Sequence, residues 1–186
     1  MAENERPLRA DAARNRARVL EVAYETFAAE GLAVPIDEIA RRAGVGAGTV
    51  YRHFPAKDDL YRAVVEARIC GIVDEGRKLL ATGDPEALFA FLRIVVLQWG
   101  GTDRGLADAL AGVGIDIKSA LPEAEENFLT LLDDLVKLGQ KAGTVRPGIV
   151  GSDIKAILNG SLAMQASHPD AASRLTDVIL DGLRPR

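Results

Sequence analysis

Apolar positions recur along this chain at steps of three and four residues, and each such run predicts a helix, because that spacing aligns side chains on one helical face. Leu20, Ala23, Tyr24 and Phe27 form the first stripe, predicting a helix from about Ala12 to Ala29 that stops at Gly31. Ile36, Ile39, Ala40 and Ala43 repeat the pattern, with Pro35 in a tolerated first-turn position and Gly44 just past the last apolar residue. Ala47, Val50, Tyr51 and Phe54 mark a third short helix, which Pro55 breaks. No run of alternating β-branched residues competes. Three short helices are therefore expected over the first 55 residues.

After Pro55 the rhythm lengthens. Lys57 to about Leu80 reads as one long amphipathic helix, with Leu60, Val64, Ala67 and Ile72 among its apolar positions. Asp84-Pro85 is expected to cap a helix running through Phe89, Leu92, Val95 and Trp99 to Gly100-Gly101. A short helix near Asp103 to Ala111 follows. Pro122, Glu123 and Glu125 suit the start of a helix from Leu121 to Ala142, closed by Gly143. Ser152 is expected to cap a helix to about Ala166, and Asp170 to open a last one to Gly182. The expected fold is all-α with about nine helices: a three-helix unit at residues 1–56, then a helical domain at 57–186.

Composition narrows the function. Apolar residues make up 48% and charged residues 27%, ordinary for a chain that buries a core, and the net charge of -4 gives no whole-chain basic footprint. One cysteine, Cys70, and two histidines, His53 and His168, leave no multi-cysteine zinc site and little material for metal or histidine catalysis. No metal and no cofactor are expected. Cys70 is expected as a small buried hydrophobe, and His168, beside Pro169, as a solvated or capping residue. The charged opening MAENERPLRAD does not read as a secretory signal, and the uncharged run from Ile94 to Thr102 is far shorter than the roughly 20 residues of a bilayer span. A cytoplasmic protein is the expectation.

The chemistry points to Gly44. Two short helices joined by Ala43-Gly44-Val45-Gly46 fit a helix-turn-helix over about residues 35–54. The second helix turns Ala47, Val50 and Phe54 inward, leaving Gly48, Thr49, Arg52 and His53 opposite. Small residues there admit a backbone into a groove, and hydroxyl or guanidinium groups reach phosphates and base edges. Charge agrees: from Ile39 to Lys57 there are four cations (Arg41, Arg42, Arg52, Lys57) and no acid, while residues 63–186 hold 13 basic and 17 acidic residues. The arginines from Arg6 to Arg18 read either as an arm for a minor groove or as a solvated helix face.

The segment from Thr26 to Val64 strongly resembles the N-terminal DNA-binding domain of the TetR family of transcriptional regulators. The resemblance rests on Gly31, Glu38-Ile39-Ala40, Ala43-Gly44-Val45, Gly48-Thr49-Val50-Tyr51-Arg52-His53-Phe54 and Lys57. It implies that Thr49, Tyr51 and His53 face the DNA backbone, that Lys57 meets a phosphate at a helix start, and that Arg52, with Ala47 and Gly48, approaches base edges. Arg41 and Arg42 would add backbone contacts. Two positions depart from the family pattern. Val34-Pro35 replaces a hydroxyl residue opening the second helix, and Gly46 replaces the serine that caps the recognition helix.

The resemblance further implies a C-terminal domain that binds a small-molecule effector and pairs two subunits, so that a homodimer reads a palindromic operator and the effector releases it. In the last two helices Ile154, Ile157, Leu158, Ser161, Leu162 and Gln165 form one stripe, Ala156, Gly160 and Ala163 a small-residue face, and Leu175, Val178, Ile179 and Gly182 a partner surface. Each reads either as interface or as plain core. Phe89, Phe91, Trp99, Phe128 and Met164, with Gln98, Asn127 and Asn159, are the candidate apolar walls and polar anchors of an effector pocket; aromatic positions at helical spacing are more often core than pocket. Nothing resembles a phosphate loop or a nucleophile elbow, so no enzyme is expected. A helical interaction or scaffold module is the alternative.

Overall fold

A computed structural model describes residues 5–99 and 121–185, all helical apart from short connections. It divides into two compact units, one extending to Ala67 and one beginning at Arg68. The predicted short helix near Asp103 to Ala111 lies outside the described residues.

In the first unit, α1 (Glu5–Glu30), α2 (Ile36–Ala43) and α3 (Ala47–His53) precede α4 (Lys57–Ala81). Helix α1 starts a turn and more earlier than its apolar stripe predicts, across the polar arginine-rich stretch where no periodic signal exists. Its stripe is buried as expected: Ala23 and Phe27 are fully enclosed, as are Ile39 of α2, Val50 of α3 and Leu60 of α4. Tyr61 fastens this core. Its hydroxyl donates 2.6 Å to the Leu32 carbonyl in a buried hydrogen bond, and its ring meets Phe27 edge-on, centroids 4.9 Å apart. The turn between α2 and α3 depends on Gly44, held at φ 69°, ψ 30°. This left-handed conformation costs a side-chain-bearing residue ~1–2 kcal/mol, and it lets Val45 N–H close back on the Ala40 carbonyl at 3.0 Å.

The second unit contains the rest of α4, then α5 (Ala87–Arg93), which continues as a π-helical stretch from Ile94 to Trp99. Then come α6 (Pro122–Ala142), α7 (Gly151–Ser167), a 3-10 turn (Pro169–Ala171) and α8 (Ala172–Leu183). Phe91, Leu92, Leu132, Leu135, Ile154 and Leu183 form its buried centre. Helix α4 approaches that centre at Gly76, where an added Cβ would lie 2.4 Å from Leu131 and 2.9 Å from Phe91. Small size, not backbone freedom, is what this glycine supplies.

Several helix boundaries differ from those predicted. Asp84 does not cap directly; its carboxylate accepts the Glu86 N–H at 2.9 Å, and α5 begins only at Ala87. The π stretch brings two consecutive residues, Val95 and Val96, into the core, which strict α spacing did not suggest. Ser152 is exposed inside the first turn of α7. The cap there is built by Asp153, accepting from Val150 N–H at 3.1 Å. Asp133 of α6 takes the Gly151 N–H at 2.6 Å. Asp170 belongs to the 3-10 turn, and α8 starts two residues later and runs one beyond Gly182. Cys70 is exposed instead of buried.

Candidate nucleic-acid interface

Helix α3 presents its two faces as its sequence requires. Val50 is fully buried, and Phe54, just past the helix, is 3% exposed. Between them Tyr51, Arg52 and His53 are exposed, with Tyr51 at 44%. Gly48 is also exposed, and Ala47 and Thr49 are half-buried. Gly46 caps the helix with its backbone alone: its carbonyl accepts Thr49 N–H at 2.9 Å, without a side-chain bond. A Cβ added at Gly48 would meet nothing within 4 Å, so the backbone at the start of α3 is open to close approach. Among the described residues Arg52 makes no ion pair and no hydrogen bond. A free guanidinium, a phenol and an imidazole on consecutive exposed positions of a helix anchored only by Val50 and Phe54 make a surface that donates to phosphates and base edges.

Lys57 opens α4 half-buried, its ammonium 5.8 Å from the centroid of the Tyr61 ring. Burial pushes its pKa down from the ordinary lysine value. The same helix start is rich in acid, since Asp58 and Asp59 occupy the first turn and Asp59 accepts Ala56 N–H at 3.0 Å. Arg16 lies over the Phe54 ring, 5.6 Å from its centroid, so this arginine of the basic arm packs on the unit itself.

Arg41 and Arg42 stand in the last turn of α2 and are both ion-paired. Arg41 forks onto Glu38 through two 2.7 Å bonds. Arg42 reaches Glu38 with its Nε at 2.7 Å and grips Glu30 of α1 with both terminal nitrogens. These bonds hold the Glu38 carboxyl down at about 2, chiefly through Arg41 and then Arg42, and they lower Glu30 through Arg42. The i,i+3 and i,i+4 spacing of Glu38 to the two arginines was readable in the sequence. The Glu30 partner was not, because it comes from another helix.

The candidate effector residues do not converge. Phe89 is 3% exposed, packed in the core with the Arg184 guanidinium 4.2 Å from its ring centroid. Phe91 is fully enclosed, and Phe128 is partly buried against the same core. Met164 is half-buried, while Gln98 and Asn159 are exposed; the Trp99 side chain lies outside the described residues. Asn127 does line a cavity, a space of about 60 Å³ shared with Ala124 of α6 and with Ile69, Cys70, Val73, Asp74 and Arg77 of α4. That is well below the ~300 Å³ of a typical ligand pocket. On α7, Ile154, Leu158 and Ser161 point into the core, and Ala156, Gly160 and Ala163 are exposed. On α8, Val178 is 62% exposed, and Gly160 and Gly182 both face open space.

No helix among the described residues is long and apolar enough to cross a membrane. No group of three or more metal-ligating side chains occurs among them either.

Comparison with known proteins agrees with this arrangement. Residues 19–64 match the model for bacterial regulatory proteins of the tetR family. Residues 84–185 match that for the SbtR-like transcriptional regulator C-terminal domain. The crystal structure of a TetR transcription regulatory protein from Mycobacterium vanbaalenii is 56% identical, with a TM-score of 0.82, over 96% of this chain and 100% of that one. A TetR transcriptional regulator from Streptomyces coelicolor is 34% identical, with a TM-score of 0.75, over 91% and 98%. Curated HTH-type transcriptional regulators from Staphylococcus aureus are 42% identical over 60 residues, a match spanning 32% of this chain and 32% of theirs.

Proposed function

Because the chain belongs to the TetR family of transcriptional regulators, we propose that it is a cytoplasmic, non-enzymatic repressor that binds a palindromic operator as a homodimer and is released by a small-molecule effector. The observation carrying the DNA-binding part is the unpaired, outward Arg52 between exposed Tyr51 and His53 on α3. In this reading residues 1–56 read DNA, with Arg52, Ala47 and Gly48 at base edges and Thr49, Tyr51, His53 and Lys57 on phosphates. Residues 57–186 bind effector and partner. The exposed small-residue face of α7 and the Val178 face of α8 support a two-helix interface. Closely packed copies need such a surface, and a dimer doubles the contacts to a twofold site. Among the pocket candidates Asn127 has the best support, since it lines a cavity with α4; a cavity this small would have to widen to accept an effector.

Selection of genomic fragments with the purified protein, then binding across a salt series, tests the reading. An enriched inverted repeat, bound with steep salt dependence and weakened ~1–3 kcal/mol by Arg52→Ala, is the expected result. Failure to bind DNA in a salt-dependent way would leave the helix-turn-helix as a scaffold.

A further inference from the structure

Four charges, Glu30 at the end of α1 and Glu38, Arg41 and Arg42 on α2, cancel. Glu30 and Glu38 face Arg41 and Arg42, and every guanidinium nitrogen that makes a bond goes to a carboxylate. An isolated exposed pair yields easily to a competing anion, but this is a fork-fork pair joined to a second pair across two helices, the geometry in which such bonds persist. Arg42 and Glu38 are each only about a third exposed, at 34% and 29%. Two of the four cations between Ile39 and Lys57 are thereby spent internally, while Arg52 is left free.

We propose that Glu30 and Glu38 act as internal competitors for DNA phosphate, holding Arg41 and Arg42 off the DNA backbone so that the sequence-independent part of binding is weaker than the arginine count allows. The inference rests on the DNA-binding reading above. Phosphate contacts add affinity without sequence information. Withholding two of them leaves relatively more of the binding to α3, and eases release. Glu38 holds Arg41 and the Nε of Arg42, and Glu30 holds the terminal nitrogens of Arg42: loss of Glu38 frees Arg41 while Glu30 keeps Arg42, and loss of Glu30 frees those terminal nitrogens.

The test measures affinity for a random-sequence duplex against salt, using wild type, Glu38→Gln, Glu30→Gln and the pairs Glu38→Gln/Arg41→Gln and Glu30→Gln/Arg42→Gln. Each single variant is expected to steepen the log–log salt slope by about 0.9 per subunit, one phosphate contact each, or about 1.8 for the bound dimer. Between about 50 and 200 mM salt that is roughly a 12-fold larger change in affinity than wild type shows. Adding the arginine substitution should remove the gain, which separates a released arginine from simple loss of negative charge. Glu30 ends α1, where an acid opposes the helix dipole, so Glu30→Gln tests the idea even if Glu38→Gln disturbs α2. Unchanged slopes in the single variants, or a gain that survives loss of the arginine, overturn the proposal. Absence of salt-dependent binding by the wild type would overturn the DNA-binding reading itself, a separate outcome.

Discussion

Replacing Gly44 by alanine isolates what the turn between α2 and α3 demands of the backbone. At φ 69° the residue is left-handed, and an added Cβ would meet only the Arg18 guanidinium, 4.0 Å away. Crowding therefore contributes almost nothing, and the cost is conformational, ~1–2 kcal/mol. Against it stands a gain of ~0.4–1 kcal/mol, because alanine restricts the unfolded chain more than glycine does. The net expectation is about 1 kcal/mol of lost stability for Gly44→Ala. Gly44→Asn should lose less, since asparagine tolerates this region. Gly143, at φ 77° with no atom within 4 Å of an added Cβ, gives a matched control in the second unit, where Gly143→Ala should cost a similar amount. Urea denaturation, following α-helical signal and comparing midpoints at equal slope, reads these differences. DNA affinity measured well below the midpoint should change little for Gly44→Asn if the turn geometry is kept. Equal stability for Gly44→Ala and wild type would refute the reasoning, as would a Gly44→Asn variant less stable than Gly44→Ala.

Other expectations follow from single contacts. Tyr61→Phe keeps the edge-on contact with Phe27 but strips the Leu32 carbonyl of its 2.6 Å donor; a loss of ~1–3 kcal/mol in urea denaturation is expected, and an unchanged midpoint would mean that water replaces the hydroxyl. Glu38, with its pKa lowered from 4.5 to about 2, stabilises the folded unit fully above pH 4.5. That contribution is lost as pH falls through about 2. An acid titration of helical signal should therefore be shallower for Glu38→Gln over this window, and superimposable curves would count against the pairing. Val178→Asp and Gly160→Arg place charge on the exposed faces of α8 and α7; both should convert dimer to monomer in sedimentation, and a wild type already monomeric at working concentration would remove the proposed interface.

Sequence alone determined where the described helices lie, though not all of their ends, and which way Val50, Arg52 and His53 of α3 face, because each depends on residues within four positions of one another. The stripe of Ile36, Ile39, Ala40 and Ala43 leaves one side for the core, Gly44 is the residue a left-handed turn accepts, and Val50 with Phe54 turns Arg52 and His53 outward, whereas Tyr51, which the apolar spacing counted in the stripe, is 44% exposed. Tertiary structure decided whatever depends on a partner distant along the chain. Charge counting presented Arg41 and Arg42 as available cations, yet Glu30 of α1 reaches Arg42 across twelve positions and completes their neutralisation. Phe89 had the look of a pocket wall until Arg184, nearly a hundred residues on, covered its ring. Cys70 carries the composition of a buried residue but falls on an exposed stretch of α4, and Gly76 is needed because Leu131 and Phe91 press on it. A side chain's own helix sets which way it points. What it meets there is set by elements that no local pattern encodes.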